Sequence, residues 1–170
     1  MRKLVQYLVI HCADTPSGRE VSKSDIEKWH KGPSDNPDGS VTYLGVKYPN
    51  RDSLPGEMIG GVSIKRLKGR GWRKLGYRDL FHLNGGIEVI TPYNDDEYID
   101  QWEITNGVAG INQEAAHIVY AGGKGGDTRT IFQKQSMKEY VLKYVRKFPH
   151  VKVGGHYQFD KKKACPSFDV

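Results

Sequence analysis

The alternation of apolar and polar positions divides the chain into short strands, two helices and one long irregular stretch. Leu4 to His11 is apolar except at Gln6, and its second half runs unbroken into His11, the pattern of a strand buried on both faces. Ala13-Asp14-Thr15-Pro16-Ser17-Gly18 forms a polar turn after it. Ser22 with Asp25 three residues later starts a helix, Ile26 and Trp29 share one of its faces, and Lys31-Gly32-Pro33 stops it. From Pro33 to Gly69 no helical period is visible. Pro33, Pro37, Pro49 and Pro55 punctuate this segment, Asp38-Gly39 marks a turn, and Val41 to Tyr48 is strand-like, so an elaborated loop with a hairpin is predicted.

The second half of the chain is more regular. Leu75 to Leu83 reads as a strand, Asn84-Gly85 as a tight turn, and Ile87 to Thr91 as the returning strand. Asp95-Asp96-Glu97 lies in a loop, and Ala115 to Tyr120 is a further buried strand, closed by Gly122-Gly123. Thr130 with Gln133 forms a capping box that opens the longest helix, Ile131 to Phe148, with Met137, Val141, Tyr144, Val145 and Phe148 on one stripe. Val151 to Gly155 is the last strand. Strands interleaved with helices predict an α/β fold: a single domain with a central mixed β-sheet packed by helices and a long insertion, 33–69, after the first helix.

Composition narrows the class. A chain of 170 residues with 37% hydrophobic residues can build a core, and its two cysteines cannot form a disulfide framework. No stretch approaches the roughly 20 apolar residues of a membrane helix, so no membrane insertion is expected. Met1-Arg2-Lys3 before Leu4 to Ile10 has the look of a signal peptide. The apolar part is short, broken by Gln6 and followed by no small-residue cleavage site, so the segment reads as a strand and no signal peptide is expected. The net charge of +6 points to an anionic partner, either nucleic acid, a membrane surface or a bacterial wall. Six basic residues fall between Lys65 and Lys74, and Lys161-Lys162-Lys163 forms a second cluster.

His11 at a strand end, His156 after the last strand and Cys165 nine residues beyond it are the residues with metal chemistry. Two imidazoles and a thiolate suit zinc and leave a fourth position open, the catalytic arrangement. On spacing alone a strand-end histidine is more often a hydrogen-bonded structural residue, and both readings stand at this point. By strand alternation Cys12 points to the opposite face from His11, as a buried structural thiol, with a Cys12–Cys165 disulfide as the competing arrangement. His30, His82, His117 and His150 read as structural or surface residues, and Trp29 and Trp72 as core, with sugar stacking open to Trp72.

Three separated motifs carry a resemblance. Val9-Ile10-His11-Cys12-Ala13-Asp14-Thr15 with Ile26-Glu27-Lys28-Trp29-His30, then Gly71-Trp72-Arg73-Lys74-Leu75-Gly76-Tyr77, then Gly155-His156 with Lys163-Ala164-Cys165-Pro166-Ser167-Phe168-Asp169, resemble in order the signatures of the type 2 N-acetylmuramoyl-L-alanine amidases. The likeness is strongest to the small phage lysozyme-type amidases, which share their fold with peptidoglycan recognition proteins, and it covers the chain outside 33–69. The resemblance implies that His11, His156 and Cys165 bind Zn2+ and that Tyr77 and Lys163 are active-site residues. It implies hydrolysis of the amide between N-acetylmuramic acid and L-alanine in bacterial peptidoglycan. A phage or prophage endolysin is expected: bacteriolytic, monomeric, accumulating in the host cytoplasm and released to the cell wall.

The chain also departs from the family pattern. Arg78 stands where a histidine usually follows the tyrosine, a loop histidine is missing near Gly107, and Ala115-Ala116-His117 replaces Ser-Ile-Gly. The final motif, normally followed by more helix, is followed here only by Val170. A peptidoglycan-binding module without catalysis is the main alternative, disfavoured because non-catalytic relatives typically lose the cysteine. Nucleic-acid binding through 65–74 is the remaining one. It is not expected, since half of that segment belongs to the amidase signature.

Overall fold

The apolar run that ends at His11 is the second strand of a five-stranded sheet in the computed structural model, which describes residues 2–170. The first elements in chain order are β1 (Lys3–Leu4), β2 (Tyr7–Cys12), α1 (Lys23–Lys31), β3 (Ser34–Asp35), β4 (Val41–Tyr43), β5 (Val46–Tyr48), β6 (Met58–Ile59) and β7 (Val62–Ser63). A single 3-10 turn at Ile64–Arg66 follows. The chain continues through β8 (Asp79–Phe81), β9 (Ile87–Val89), β10 (Tyr98–Ile99), β11 (Ala115–Tyr120), α2 (Ile131–Lys147), β12 (Lys152–Gly155) and α3 (His156–Phe159). The fold class is α/β with a central mixed sheet, as the pattern predicts. Among the described residues no helix is long and apolar enough to cross a membrane.

The chain divides into two compact units, one running through Val21 and resuming at Gly76–Val170, the other Ser22–Leu75. The first holds the large sheet, in the order β12-β2-β11-β8-β9, parallel except for β9. β2 and β11 sit inside it and are buried on both faces, which is why they read as continuous apolar runs. Leu8, Ile10, Ala116, Ile118 and Tyr120 form one face and pack against Met137 and Tyr144 of α2 and Phe148 just after it. Gln133, fully buried at the start of α2, donates from Nε2 to the carbonyls of Phe81 and Ala121 at 3.1 and 2.9 Å, so the capping box also fixes the helix to the strand ends.

Two predicted strands are shorter than their apolar runs. Leu4 to His11 breaks at Val5-Gln6, where β1 leaves its antiparallel pairing with β10 and the amides of Val5 and Gln6 donate to Glu97 and Glu114. Leu75 to Leu83 is strand only over Asp79–Phe81, because the amides of Ile90 and Thr91 both donate to the Arg78 carbonyl and end the ladder as a bulge does. Arg78 turns into a buried group instead. Its Nε lies 3.0 Å from Asp79 Oδ2, its Nη2 donates to the Tyr140 hydroxyl at 2.8 Å, and its guanidinium covers the Tyr93 ring at 3.7 Å.

In the second unit the predicted 33–69 segment carries five short antiparallel strands, with Val41, Tyr43, Leu54 and Ile64 as a small core. Its two ends are clipped together: Gly69 N–H donates to the Pro33 carbonyl at 2.8 Å and Gly71 N–H to the Gly32 carbonyl at 2.7 Å. α1 buries Ile26 and His30, whose ring lies 5.0 Å from that of Trp72. Burial, helped by the Arg70 guanidinium, pulls the His30 pKa from 6.5 down to about 4. The neutral ring is therefore the folded form. Its contribution is complete above pH 6.5 and is lost as pH falls toward 4, amounting to about 3 kcal/mol. Urea titrations at pH 7 and pH 4 check this: a His30→Gln variant is expected to lose less stability between the two than the parent chain.

Candidate metal centre

The site lies on the sheet face opposite α2, at the carboxyl ends of the parallel strands, where open α/β sheets place their ligand sites. Alternation along β2 sends Leu8 and Ile10 to the α2 side and Val9 and His11 to the other. β12 pairs in parallel with β2 as far as Gly155 opposite Ile10, so His156, one step on, stands beside His11 as the strand becomes α3. The loop after α3 brings Cys165 back. Tyr157 N–H donates to the Cys165 carbonyl at 2.9 Å, the Tyr120 hydroxyl to the Pro166 carbonyl at 2.7 Å, and the Ser167 hydroxyl to the Gly123 carbonyl at 2.8 Å. Gly155 permits this approach, since a Cβ there would stand 2.6 Å from Pro166 Cδ.

These constraints bring the ligand atoms of His11, His156 and Cys165 within 4.8 Å of one another. His11 Nδ1 is 3.7 Å from Cys165 Sγ, and the His11 and His156 rings lie 4.7 Å apart. His11 is fully buried, while His156 and Cys165 are half-buried, so the group is closed on the sheet side and reachable from the other. The Cys12 backbone N–H donates to Cys165 Sγ at 3.2 Å, while the hydrogen bond with the Cys12 thiol and burial push the Cys165 pKa well above the usual thiol range. The three residues can hold a metal ion. Both cysteines are free thiols, with no Cys12–Cys165 disulfide. The Cys12 thiol packs into the core on the α2 side and lies 3.7 Å from the Ser167 hydroxyl.

Tyr77 also comes to this region. The Tyr77 ring lies 5.0 Å from that of His11, and its backbone carbonyl is held by the Thr91 hydroxyl at 2.8 Å. Lys163 is exposed and lines an open groove of about 720 Å³, with Asp14, Gly123, Tyr157 and Phe168 among the other walls. Lys161 and Lys162 are exposed on the same loop.

His82, between Glu20 and Glu88 at 3.1 and 3.2 Å, is structural, as is His150, bonded to the Val5 carbonyl at 2.9 Å. His117 lies against the site. Its Nδ1 is 3.0 Å from His11 Nε2, both rings are fully buried, and burial holds its pKa well below the usual imidazole range. The signal was the parity of β11, which puts His117 on the His11 face, but reading it needs the β2–β11 register as well.

Among solved structures the chain is similar to an endolysin from a Thermus scotoductus bacteriophage, with a TM-score of 0.63 at 16% identity over 99% of this chain and 80% of that one. It is similar to the N-acetylmuramoyl-L-alanine amidase LysC from Clostridium intestinale, with a TM-score of 0.59 at 14% identity over 97% and 78%. The Drosophila protein PGRP-LB gives a TM-score of 0.57 at 16% identity over 98% and 79%. The fold is that of the type 2 amidases. No family model matches the chain, and no curated protein matches it. Within the type 2 amidase fold, two of the sequence departures meet: His117 sits directly against Gly107. Arg78 belongs to the Asp79–Tyr140 group, and Tyr77 before it is the one that stands beside His11.

Proposed function

We propose that this chain is a zinc-dependent N-acetylmuramoyl-L-alanine amidase that acts on bacterial peptidoglycan as a phage or prophage endolysin. The observation that carries this reading is the convergence of His11, His156 and Cys165 at the strand ends of a type 2 amidase fold. The donor set fits zinc, being two imidazole nitrogens and one sulfur with a fourth direction open. His11 Nε2 is engaged by His117, so Nδ1 is the nitrogen that faces the cluster. When bound, zinc supplies Lewis acidity and lowers the pKa of water toward about 7.

The other residues act on the substrate. The groove lined by Asp14, Tyr157 and Lys163 receives the peptide next to the sugar. As the scissile carbonyl becomes tetrahedral its oxygen gains charge, and the Tyr77 hydroxyl and Lys163 ammonium donate to it. Lys163 lies two residues before Cys165, and its amide donates to the Asp160 carbonyl at 3.0 Å. The complete set of three ligands favours hydrolysis over binding alone.

Purified protein incubated with peptidoglycan is expected to release new L-alanine amino groups, to lose that activity with chelator and to regain it with zinc. Adsorption to walls without new amino groups supports the binding-module alternative instead. Absence of stoichiometric zinc overturns the metal assignment.

A further inference from the structure

The neutral imidazole of His11 carries one proton, and only its bare nitrogen can bind a cation. Nε2 of the ring lies 3.0 Å from His117 Nδ1, and Nδ1 lies 3.7 Å from Cys165 Sγ; these contacts compete for the choice. We propose that His117 is a positioning residue for metal capture, accepting the His11 Nε2–H at its own Nδ1 and so leaving His11 Nδ1 bare toward Cys165 and His156. This rests on the metal reading of the cluster. In the reverse arrangement His117 donates to His11 Nε2, the His11 proton sits on Nδ1, and the ligand position is blocked.

Three features place His117 for this task. It faces Val9 across the parallel β2–β11 pair, two residues before Val119, which pairs with His11, so its side chain reaches His11 along the diagonal of one sheet face. Gly107 leaves the room: a Cβ there would lie 2.3 Å from both Cγ and Nδ1 of His117. Packing alone does not account for an imidazole here. His117 Nε2 is buried with no hydrogen-bond partner, a desolvation cost that an apolar side chain of similar size would avoid. The ring's useful atom is Nδ1.

Two measurements test the assignment. Nitrogen-15 NMR of the metal-free parent chain at pH 8 is expected to show His11 with its proton on Nε2; a proton on Nδ1 overturns the proposal whatever the chain does with zinc. In competitive chelator titrations, His117→Leu is expected to weaken zinc binding about 10–100-fold. His117→Asn, whose Oδ1 takes the place of Nδ1 as acceptor, is expected to recover most of that loss. Equal losses in folded Leu and Asn variants, or no loss in either, overturn the proposal. A parent chain that binds no zinc defeats the metal reading, and the tautomer measurement then decides the role of His117 by itself.

Discussion

Cys165→Ser is expected to abolish stoichiometric zinc and amide hydrolysis together. Oxygen replaces the sulfur that the proposed site offers as a soft ligand, and the Cys12 backbone N–H that donates to Sγ at 3.2 Å meets a hydroxyl instead. Residues that only support a ligand already cost about 10–100-fold in metal affinity when changed, and removing the ligand itself exceeds that range. His156→Ala should behave in the same way. Both variants are also expected to lose the stability that ligation adds, about 4 kcal/mol at zinc a thousandfold above the parent Kd. Zinc content after dialysis, release of new amino groups from peptidoglycan, and thermal melts with and without added zinc read the three effects. Cys12→Ala keeps the backbone N–H and is expected to retain zinc, so it separates the ligand from its neighbour. A Cys165→Ser chain that still carries one zinc removes Cys165 from the ligand set.

Tyr77→Phe and Lys163→Ala are expected to give the opposite pairing, with zinc retained and turnover lost. In the proposed roles each removes a donor aimed at charge that develops only in the transition state, and such donors are worth about a hundred- to a thousandfold in kcat. KM should change far less than kcat, because the ground-state carbonyl gains little from either group. Phenylalanine keeps the ring packing 5.0 Å from His11, so a loss in Tyr77→Phe reports on the hydroxyl. Tyr77→Phe with parent-like kcat would falsify its role as a donor. A rise in KM alone for Lys163→Ala assigns that lysine to binding within the groove.

The legible parts of the chain were those governed by near neighbours. Ser22 with Asp25 and Thr130 with Gln133 both form full capping boxes, because the bonds that satisfy a helix start span three residues. β2 and β11 were visible as apolar runs because interior parallel strands are buried on both faces. The candidate site residues emerged from motif likeness, and the structure brings His11, His156, Cys165 and Tyr77 together. What escaped depends on distant partners. The two-residue pairing of β1 with β10 leaves almost no periodic trace, and the break at Val5-Gln6 exists only because Glu97 and Glu114 offer carbonyls there. His117 was passed over for the same reason, since its meaning depends on register with β2 and on the space at Gly107.

The neighbours of β2 set an order of events during synthesis. Its two ladder partners are β11 and β12, so the first long strand made waits for segments more than a hundred residues downstream. His11 meets Cys165 across a separation of 154 positions. At about 5–20 residues per second, the strand emerges many seconds before any partner for it exists. A nascent chain thus holds His11 without Cys165, and the three-residue cluster can assemble only after residue 165 has been made. Non-local pairing of this kind also slows folding. The cluster therefore closes after the strands that frame it, as the loop carrying Cys165 returns to β2.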